Sequence, residues 1–260
     1  MGPKTLIPKD HPRYCSLMIR EKLVYGFENG LVAREGLIAH GRGESFDYLL
    51  GEQTTEYALN SINAASALLL LAEYAVLSVN GNTAALCGKG ICDLNRSLER
   101  SSIEVNLFYR TDKREKLIAN ELKKHGAKKI LGVGQTTIKE IPELKSNRRI
   151  VDPDGIFIAD VVFVPLEDGD RTIALKKMNK KVITVDLNPL SRTSTTSDIS
   201  IVDNVVRSIP HLIKCVENHK KNSKKKELEE IVRNYNNEQC LKESINAIRS
   251  SKGLAKTLVL

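Results

Sequence analysis

The 260-residue chain carries a formal net charge of +8, and 41% of its residues are hydrophobic. This hydrophobic fraction supplies a core and excludes a chain that is disordered throughout. The longest apolar run, residues 64–72, is about half as long as a membrane-spanning helix. No signal-peptide pattern stands at the start of the chain, so we expect a cytoplasmic protein without membrane contact.

The charge and the cysteines do not indicate a nucleic-acid or zinc module. Five lysines cluster at residues 220–226 without any nucleic-acid-binding motif, which favours a solvated charge run over an RNA-binding patch. The five cysteines are odd in number and form no CxxC pair, which argues against a disulfide framework and a zinc site. We therefore expect free thiols and no nucleic-acid partner.

Apolar periodicity predicts strands that alternate with helices. The predicted helices are residues 13–29, 54–73, 83–98, 113–125, 171–178 and 205–217, and the predicted strands are 75–79, 103–108, 129–132, 161–164, 182–185 and 199–202. This order predicts an α/β fold with a mainly parallel, doubly wound sheet and helices on both faces. Residues 220–260 are polar and helix-prone, so we expect a C-terminal helical extension there.

Two neighbouring predicted strands end in charged residues. Residues 167–172 follow the strand at 161–164, and residues 186–192 follow the strand at 182–185. Turn chemistry alone places Gly, Asp and Asn in such loops. Two adjacent loops with Asp, Asn and Arg together favour a ligand site, since open α/β sheets bind ligands beyond the carboxyl ends of their strands. The carboxylates available there for Mg²⁺ or a ribose are Asp168, Asp170 and Asp186.

Residues 40–44 read His-Gly-Arg-Gly-Glu, and the two glycines predict a tight loop around an anion. Arg42 can grip a phosphate with two hydrogen bonds, and His40 is the histidine with other polar groups beside it. The alternative is a glycine turn with exposed charges. Gly41 and Gly43 do not begin a dinucleotide fingerprint, because Phe46 replaces the third glycine, and this disfavours a nicotinamide dehydrogenase.

Residues 78–83 join a predicted strand to a predicted helix. Amides at a helix start and asparagine side chains beside them suit a phosphate or a carboxylate, and a simple N-cap at Asn82 is compatible with that role. Gly88 and Lys89 do not form a P-loop, because Thr83 and Gly90 replace required motif residues. The substrate-binding candidates are Ser78, Asn80, Gly81 and Asn82, with Arg110 after the next strand.

Several segments in the same order closely resemble archaeal phosphopantothenate synthetases. They are residues 7–14, 36–49, 78–82, 104–111, 164–172, 186–192 and 201–204. The resemblance spans about residues 7–217, is poor over 129–146 and is weak after 220. It implies a Rossmann-like core in a domain of residues 1–219 that binds ATP and 4-phosphopantoate, with N-terminal helices, and an extension of residues 220–260. It also implies a homodimer.

The resemblance implies ATP-dependent ligation of 4-phosphopantoate with β-alanine in coenzyme A biosynthesis. The products would be 4-phosphopantothenate, AMP and diphosphate, formed through an acyl-adenylate with Mg²⁺ present. The ATP contacts implied are Arg20, Arg42, Asp186, Leu187, Asn188, Arg192, Thr193, Asn204 and Val205.

Arg42 and His40 are the catalytic candidates. A neutral imidazole can accept the proton of the β-alanine ammonium, or the amine arrives neutral and His40 only binds phosphate. The metal ligands stay open. A non-catalytic sensor of nucleotide or coenzyme A is the alternative function, and ATP binding without turnover would indicate it.

Overall fold

A computed structural model of the chain describes residues 7–134, 137–166 and 168–250. Glu167 in the first charged loop and residues 251–260 of the predicted extension lie outside the described residues. The helices are α1 (Tyr14–Glu28), α2 (Arg34–Leu49), α3 (Glu56–Leu71), α4 (Gly81–Ser97), α5 (Asp112–Lys124), α6 (Gly169–Lys177), α7 (Arg192–Thr196), α8 (Val205–Asn222), α9 (Lys225–Asn234) and α10 (Asn237–Arg249). The strands are β1 (Ala75–Val79), β2 (Ser101–Val105), β3 (Ile130–Leu131), β4 (Lys139–Glu140), β5 (Ile150–Val151), β6 (Val161–Pro165), β7 (Lys181–Val185) and β8 (Ile199–Ile201), and a 3₁₀ helix, η1, covers Asn147–Arg149.

The central sheet has six strands in the order β3-β2-β1-β6-β7-β8. Every neighbouring pair in it is parallel. The strand order reverses between β1 and β6, which is the arrangement of a doubly wound, Rossmann-like sheet. The predicted α/β fold is confirmed. Strands β4 and β5 form a separate antiparallel pair.

Both faces of the sheet are covered, so its strands are almost continuously apolar. On one face, Leu77 of β1 and Phe163 of β6 pack in the larger core with residues of α3, α4, α5 and α8. On the other face, Val76 and Val162 pack against α6 and the segment around β4 and β5. Side chains alternate between the faces along each strand. Helices on both faces, as predicted, are confirmed.

The C-terminal helices pack onto the sheet domain. Helix α3 begins where Thr55 Oγ1 accepts a hydrogen bond from Ala58 N (3.2 Å), and both α9 and α10 contact α3. Leu228 of α9 and Leu241 of α10 are buried. Helix α8 continues through residue 219 to Asn222. No helix among the described residues is long and apolar enough to cross a bilayer.

The tight loop predicted at residues 40–44 is wrong. These residues lie inside α2, and neither Gly41 nor Gly43 has a positive φ. Each glycine costs a helix about 1 kcal/mol relative to alanine, and tertiary packing overrides that preference. A Cβ on Gly43 would stand 3.5 Å from Leu187 Cδ1. Gly43 of α2 therefore lies next to Leu187 after β7, with room for an ordinary van der Waals contact.

Candidate active site

A cavity of about 720 Å³ opens at the carboxyl ends of the central strands. Its walls include Asn80 after β1, Leu107 after β2, Leu166 after β6 and Asp186 after β7, and α2 forms a further wall. The cavity lies where the strand order reverses between β1 and β6. Doubly wound sheets bind their ligands at this position.

Many of the predicted site residues converge on this cavity. Those that line it are His40, Arg42, Asn80, Gly81, Asn82, Asp186, Leu187, Asn188 and Thr193. Those that lie outside its lining are Arg20, Ser78, Arg110, Arg192, Asn204 and Val205. That any of them contacts a ligand remains a prediction.

The start of α4 is fixed by two asparagines. Asn80 is the N-cap: its Oδ1 accepts a hydrogen bond from Thr83 N (3.0 Å), and its Nδ2 donates to Leu166 O (3.0 Å). The helix therefore begins two residues earlier than a cap at Asn82 would allow. Asn82 Nδ2 instead donates to the carbonyl oxygen of Gly36 in α2 (2.8 Å). The backbone is non-helical at Cys87, so α4 consists of two helical segments that meet at a kink. The start of the first segment lines the cavity, and the free N–H groups of its first turn favour anions.

The turn after β7 is held by its own side chains. Asp186 Oδ1 accepts a hydrogen bond from Asn188 N (2.9 Å), and Asp186 Oδ2 accepts one from Ser191 Oγ. Asn188 Oδ1 accepts from Leu190 N (2.9 Å). Burial raises the pKa of Asp186, while these hydrogen bonds and the charge of Arg42 oppose the rise. Asp186 and Asn188 therefore stabilise the turn and also line the cavity.

Helix α2 brings an imidazole and a guanidinium to the cavity. Burial lowers the pKa of His40, and the carboxylates of Glu44 and Asp47 oppose that shift. Arg42 is exposed at the cavity wall. Arg20 of α1 does not line the cavity, because its Nε donates to both carboxylate oxygens of Glu44 (2.8 and 2.9 Å). Arg20 therefore joins α1 to α2.

Two further guanidiniums line the cavity that the sequence analysis did not single out. Arg148 of η1 is 7% exposed, and its Nη1 lies 3.2 Å from Asp168 Oδ2. Burial lowers its pKa to about 10, so it stays charged near neutral pH. Arg114 of α5 donates from Nη2 to Leu31 O (2.9 Å). No local pattern marks Arg148, and Arg114 resembles any charge in the first turn of a helix.

Two predicted substrate contacts lie beneath or beside the cavity. Ser78 is buried in β1, and its Oγ accepts a hydrogen bond from Arg171 Nη2 (3.1 Å). Arg110 forms an ion pair with Glu115 and donates from Nη1 to Ile150 O (3.2 Å). Ser78 thus joins β1 to α6, and Arg110 joins α5 to β5.

Three predicted nucleotide contacts also have partners within the protein. Arg192 is largely exposed and pairs with Asp170 (2.9 Å). Asn204 is buried, caps α8 and donates from Nδ2 to Asp47 Oδ2 (2.8 Å). Val205 belongs to the larger core.

Comparison with known proteins identifies the family. The model of the phosphopantothenate/pantothenate synthetase family matches residues 57–251. The chain belongs to this family. The resemblance and the expectation of an enzyme are thereby confirmed.

Several relatives of this synthetase family carry the same name, 4-phosphopantoate--beta-alanine ligase. The protein from Thermococcus kodakarensis is 52% identical over 244 residues, which cover 94% of this chain and 92% of that protein. The protein from Methanosarcina mazei is 51% identical over 245 residues, covering 94% and 95%. The protein from Methanospirillum hungatei is 51% identical over 213 residues, covering 82% and 86%.

Ligases of this synthetase family use ATP, which raises the question of a metal site. Among the described residues, no group of three or more His, Cys, Asp or Glu side chains is placed to hold a metal ion. Three carboxylates, those of Glu35, Asp168 and Asp186, do line the cavity. Mg²⁺ commonly takes one or two carboxylates and completes its shell with phosphate oxygens and waters. The residues therefore fit a Mg²⁺ that arrives with nucleotide, and they do not fit an all-protein cage.

Proposed function

We propose that this chain joins 4-phosphopantoate to β-alanine, using ATP and releasing AMP and diphosphate. The relatives' printed name and their nearly full-length match support the activity. The observation that carries the proposal is the cavity where the strand order reverses. It gathers the start of α4 with the guanidiniums of Arg42, Arg114 and Arg148 around one space. Such a site suits a reaction that brings a triphosphate close to a second acid with two anionic groups.

The chemistry follows from the products. A carboxylate is a poor electrophile until one of its oxygens becomes part of a good leaving group. The carboxylate oxygen of 4-phosphopantoate attacks the α-phosphorus of ATP, and diphosphate leaves. The amine of β-alanine then attacks the acyl carbon, and AMP leaves with that oxygen. Much of the protein's contribution is to hold the anions together and neutralise their charge.

The proposed ATP contacts divide into two groups. Those at the cavity wall, Arg42, Asp186, Leu187, Asn188 and Thr193, are supported by geometry as well as by resemblance. Of those outside the lining, Arg20, Asn204 and Val205 are supported by resemblance alone, and Arg192 is also supported by its place in the charged loop after β7. The start of α4, with Asn80 and Asn82, is the proposed site for the phosphate of 4-phosphopantoate.

His40 is the proposed acceptor of the ammonium proton of β-alanine. It lines the cavity, and burial lowers its pKa, so its ring is neutral near pH 7 and can take a proton. Mg²⁺, held by Asp168 or Asp186, would neutralise phosphate charge during both steps. In the alternative, the amine of β-alanine arrives already neutral and His40 only binds phosphate. A homodimer and a cytoplasmic location are further parts of the proposal, taken from the resemblance and the composition.

Oxygen-18 in the carboxyl group of 4-phosphopantoate tests this function. The purified protein is given ATP, Mg²⁺, β-alanine and the labelled acid, and the products are analysed by mass spectrometry. We expect 4-phosphopantothenate together with labelled AMP. ADP with labelled orthophosphate would instead indicate an acyl-phosphate route. ATP binding without any product would favour the non-catalytic sensor.

A further inference from the structure

A pair of opposite charges lies buried beneath the cavity. Arg171 of α6 and Glu104 of β2 are both 0% exposed, and neither lines the cavity. Burial lowers the pKa of Arg171 to about 10, and the carboxylate of Glu104 opposes that shift. The register of the sheet places Ser78 beside Glu104, and Arg171 Nη2 donates to Ser78 Oγ (3.1 Å). A buried ion pair adds little to stability by itself, and removing one partner leaves an uncompensated buried charge. Stability alone therefore does not explain these two residues.

Glu104 also anchors a turn of the backbone. Its Oε1 accepts a hydrogen bond from Asp152 N (3.1 Å), and its Oε2 accepts one from Ile156 N (2.6 Å). A Cβ on Gly155 would stand 2.0 Å from Glu104 Oε2. Only glycine therefore fits at this position, where the turn lies against the carboxylate. Glu104 therefore fixes the turn that follows η1 and β5.

Arg148 is attached to this buried pair by two routes. Along the chain, η1 leads through β5 to the turn that Glu104 holds. Across space, the Arg148 guanidinium lies beside Asp168, which caps α6 by accepting a hydrogen bond from the main-chain N–H of Arg171 (3.0 Å) and whose charge acts on the Arg171 guanidinium. Asn106 Nδ2 adds a clamp on the carbonyl oxygen of Arg148 (3.2 Å). The charge of Arg171 also acts on Arg148, since it contributes to lowering the pKa of that guanidinium.

We propose that Glu104 is a positioning residue for substrate binding: through Arg171 and the turn at 152–156, it holds Arg148 at the cavity wall toward the anionic groups of 4-phosphopantoate. Without the charge of Glu104, the repulsion between the two buried guanidiniums would be compensated by Asp168 alone, and the turn would be held less firmly. We assign Arg148 to 4-phosphopantoate because Asn80, at the proposed site for the phosphate of this substrate, also lines the cavity. Asn80 Nδ2 donates to Leu166 O, in the loop that leads to Asp168. This inference rests on the proposed function.

The charge of Glu104 changes within the working pH range of an enzyme. Burial raises its pKa to about 7, while the two backbone N–H groups and Arg171 oppose the rise. The charged groups that act on Glu104 or feel its charge are Arg171 of α6, Asp152 after β5 and Lys180 before β7. Below its pKa the carboxylate is neutral. The KM for 4-phosphopantoate should therefore rise as the pH falls through this value.

Glu104→Gln is the first test, because glutamine keeps the shape and one acceptor oxygen and removes the charge. We expect it to raise the KM for 4-phosphopantoate about tenfold at a pH where wild-type Glu104 is ionised, the loss seen for residues that orient a ligand-binding group. The KM for β-alanine should change little. The ratio of variant to wild-type KM should fall toward one as the pH is lowered. The substrate phosphate also titrates, near about pH 6, but it does so equally with both enzymes.

Asp198→Asn is the matched control. Asp198 is a partly buried carboxylate at the amino-terminal edge of the sheet, and it accepts hydrogen bonds from Val182 N (2.9 Å) and Lys176 Nζ (2.6 Å). Its loss should lower the melting temperature and leave every KM at the wild-type value. A structural loss alone is thereby separated from a change in substrate binding.

The outcomes separate this inference from the proposed function. A wild-type protein that forms no 4-phosphopantothenate would overturn the function itself. An active wild type, with a folded Glu104→Gln variant of unchanged KM and unchanged pH dependence, would overturn the positioning role. If circular dichroism shows that Glu104→Gln does not fold, Glu104→Asp takes its place. That variant keeps the charge on a shorter side chain, so we expect a raised KM that still depends on pH, and a wild-type KM would overturn the inference.

Discussion

Aspartates accept backbone hydrogen bonds at both edges of the central sheet, but the surroundings of the two edges differ. At the amino-terminal edge, Asp160 accepts hydrogen bonds from Glu73 N (2.9 Å) and Tyr74 N (2.8 Å), and Asp198 binds a backbone amide and lysines. At the carboxyl-terminal edge, Asp186 accepts hydrogen bonds from its own turn in the same way. The second edge borders the cavity of about 720 Å³, whose wall includes guanidiniums and the start of α4.

An Asp or Asn beside a strand is therefore a weak functional signal by itself. At both edges such side chains satisfy the backbone groups that strand ends and helix ends leave open. The distinguishing feature is a cation held at the wall of a cavity, since a guanidinium kept partly from water gains most from a bound anion. Substitutions at the amino-terminal edge should reduce stability alone, and those at the carboxyl-terminal edge should also reduce activity.

The largest expected effect on stability is at Arg207. Its guanidinium pairs with Asp47 of α2 and with Asp203, whose side chains are 4% and 0% exposed. Arg207→Ala would leave two buried carboxylates without their cation, so we expect the free energy of unfolding to fall by about 3 to 5 kcal/mol at neutral pH. The loss should shrink in acid, because burial raises the pKa of Asp203 and its protonation removes an uncompensated charge. Urea unfolding at several pH values measures both.

Lys176→Ala is the matched change at the amino-terminal edge. Asp198 keeps Lys181 (3.2 Å) and the amide of Val182 when Lys176 is removed, so we expect a loss of about 0 to 1 kcal/mol. Equal losses for Arg207→Ala and Lys176→Ala would contradict the difference between the two edges. Because Asp47 lies on the helix that carries His40, Arg207→Ala should also lower activity.

The next largest effect is expected at His40. If its imidazole accepts the ammonium proton, His40→Asn should lower kcat about 100-fold. Because burial lowers its pKa from 6.5, the wild-type enzyme should stay active below that pH and lose activity as the ring finally becomes protonated. This acid limb should disappear in the variant. Steady-state rates across the pH range, with ATP, 4-phosphopantoate and β-alanine all saturating, measure both effects on kcat.

His211→Asn is the control, since His211 is exposed on α8 and does not line the cavity. It should keep both the rate and the acid limb. A raised KM for His40→Asn, with kcat and the acid limb retained, would show that His40 only binds phosphate and that the amine arrives neutral.

The sequence predicted most of the fold because the strands are buried on both faces. Strand β1 was predicted with its observed bounds, and the apolar runs around Phe163 and Ile183 marked β6 and β7. Helix α2 was missed because Gly41 and Gly43 disfavour a helix locally, a preference that tertiary packing overrides. The five-residue helix α7 and the two-residue strands β4 and β5 are too short to give a periodic signal.

The candidate site was predicted where it follows strands directly and missed where it depends on distant segments. Asn80 and Asp186 stand just beyond apolar runs, so their place at the carboxyl edge follows from chain order. Arg148 comes from a 3₁₀ helix between short strands, and nothing nearby in the sequence indicates its partners. Glu104 did leave a signal, since a carboxylate stands between the apolar residues Ile103 and Val105 of a predicted strand. A buried charge in such a strand needs a partner, which the sequence cannot name.

The smallest expected effect, at Asn80, addresses the overlap between capping and substrate binding. Asn80→Ala removes the N-cap of α4 and the hydrogen bond to Leu166 O, and it shifts the helix start that is proposed to bind the phosphate of 4-phosphopantoate. We expect the KM for 4-phosphopantoate to rise roughly fivefold, which corresponds to about 1 kcal/mol of binding free energy, and the KM for ATP to rise less. Pantoate without its phosphate should be a poor substrate of the wild-type enzyme, because it leaves this helix start without an anion.

Thr55→Ala provides the matched control for Asn80, because Thr55 caps α3 in the same manner and does not line the cavity. Both substitutions should lower the free energy of unfolding by about 1 kcal/mol, the usual value of an N-cap. Only Asn80→Ala should change a KM. Equal KM changes for the two substrates would show that Asn80 acts as a cap alone. Equal kcat/KM for pantoate and 4-phosphopantoate would remove the phosphate from the start of α4, and the cavity would then have to hold the acid substrate by its guanidiniums.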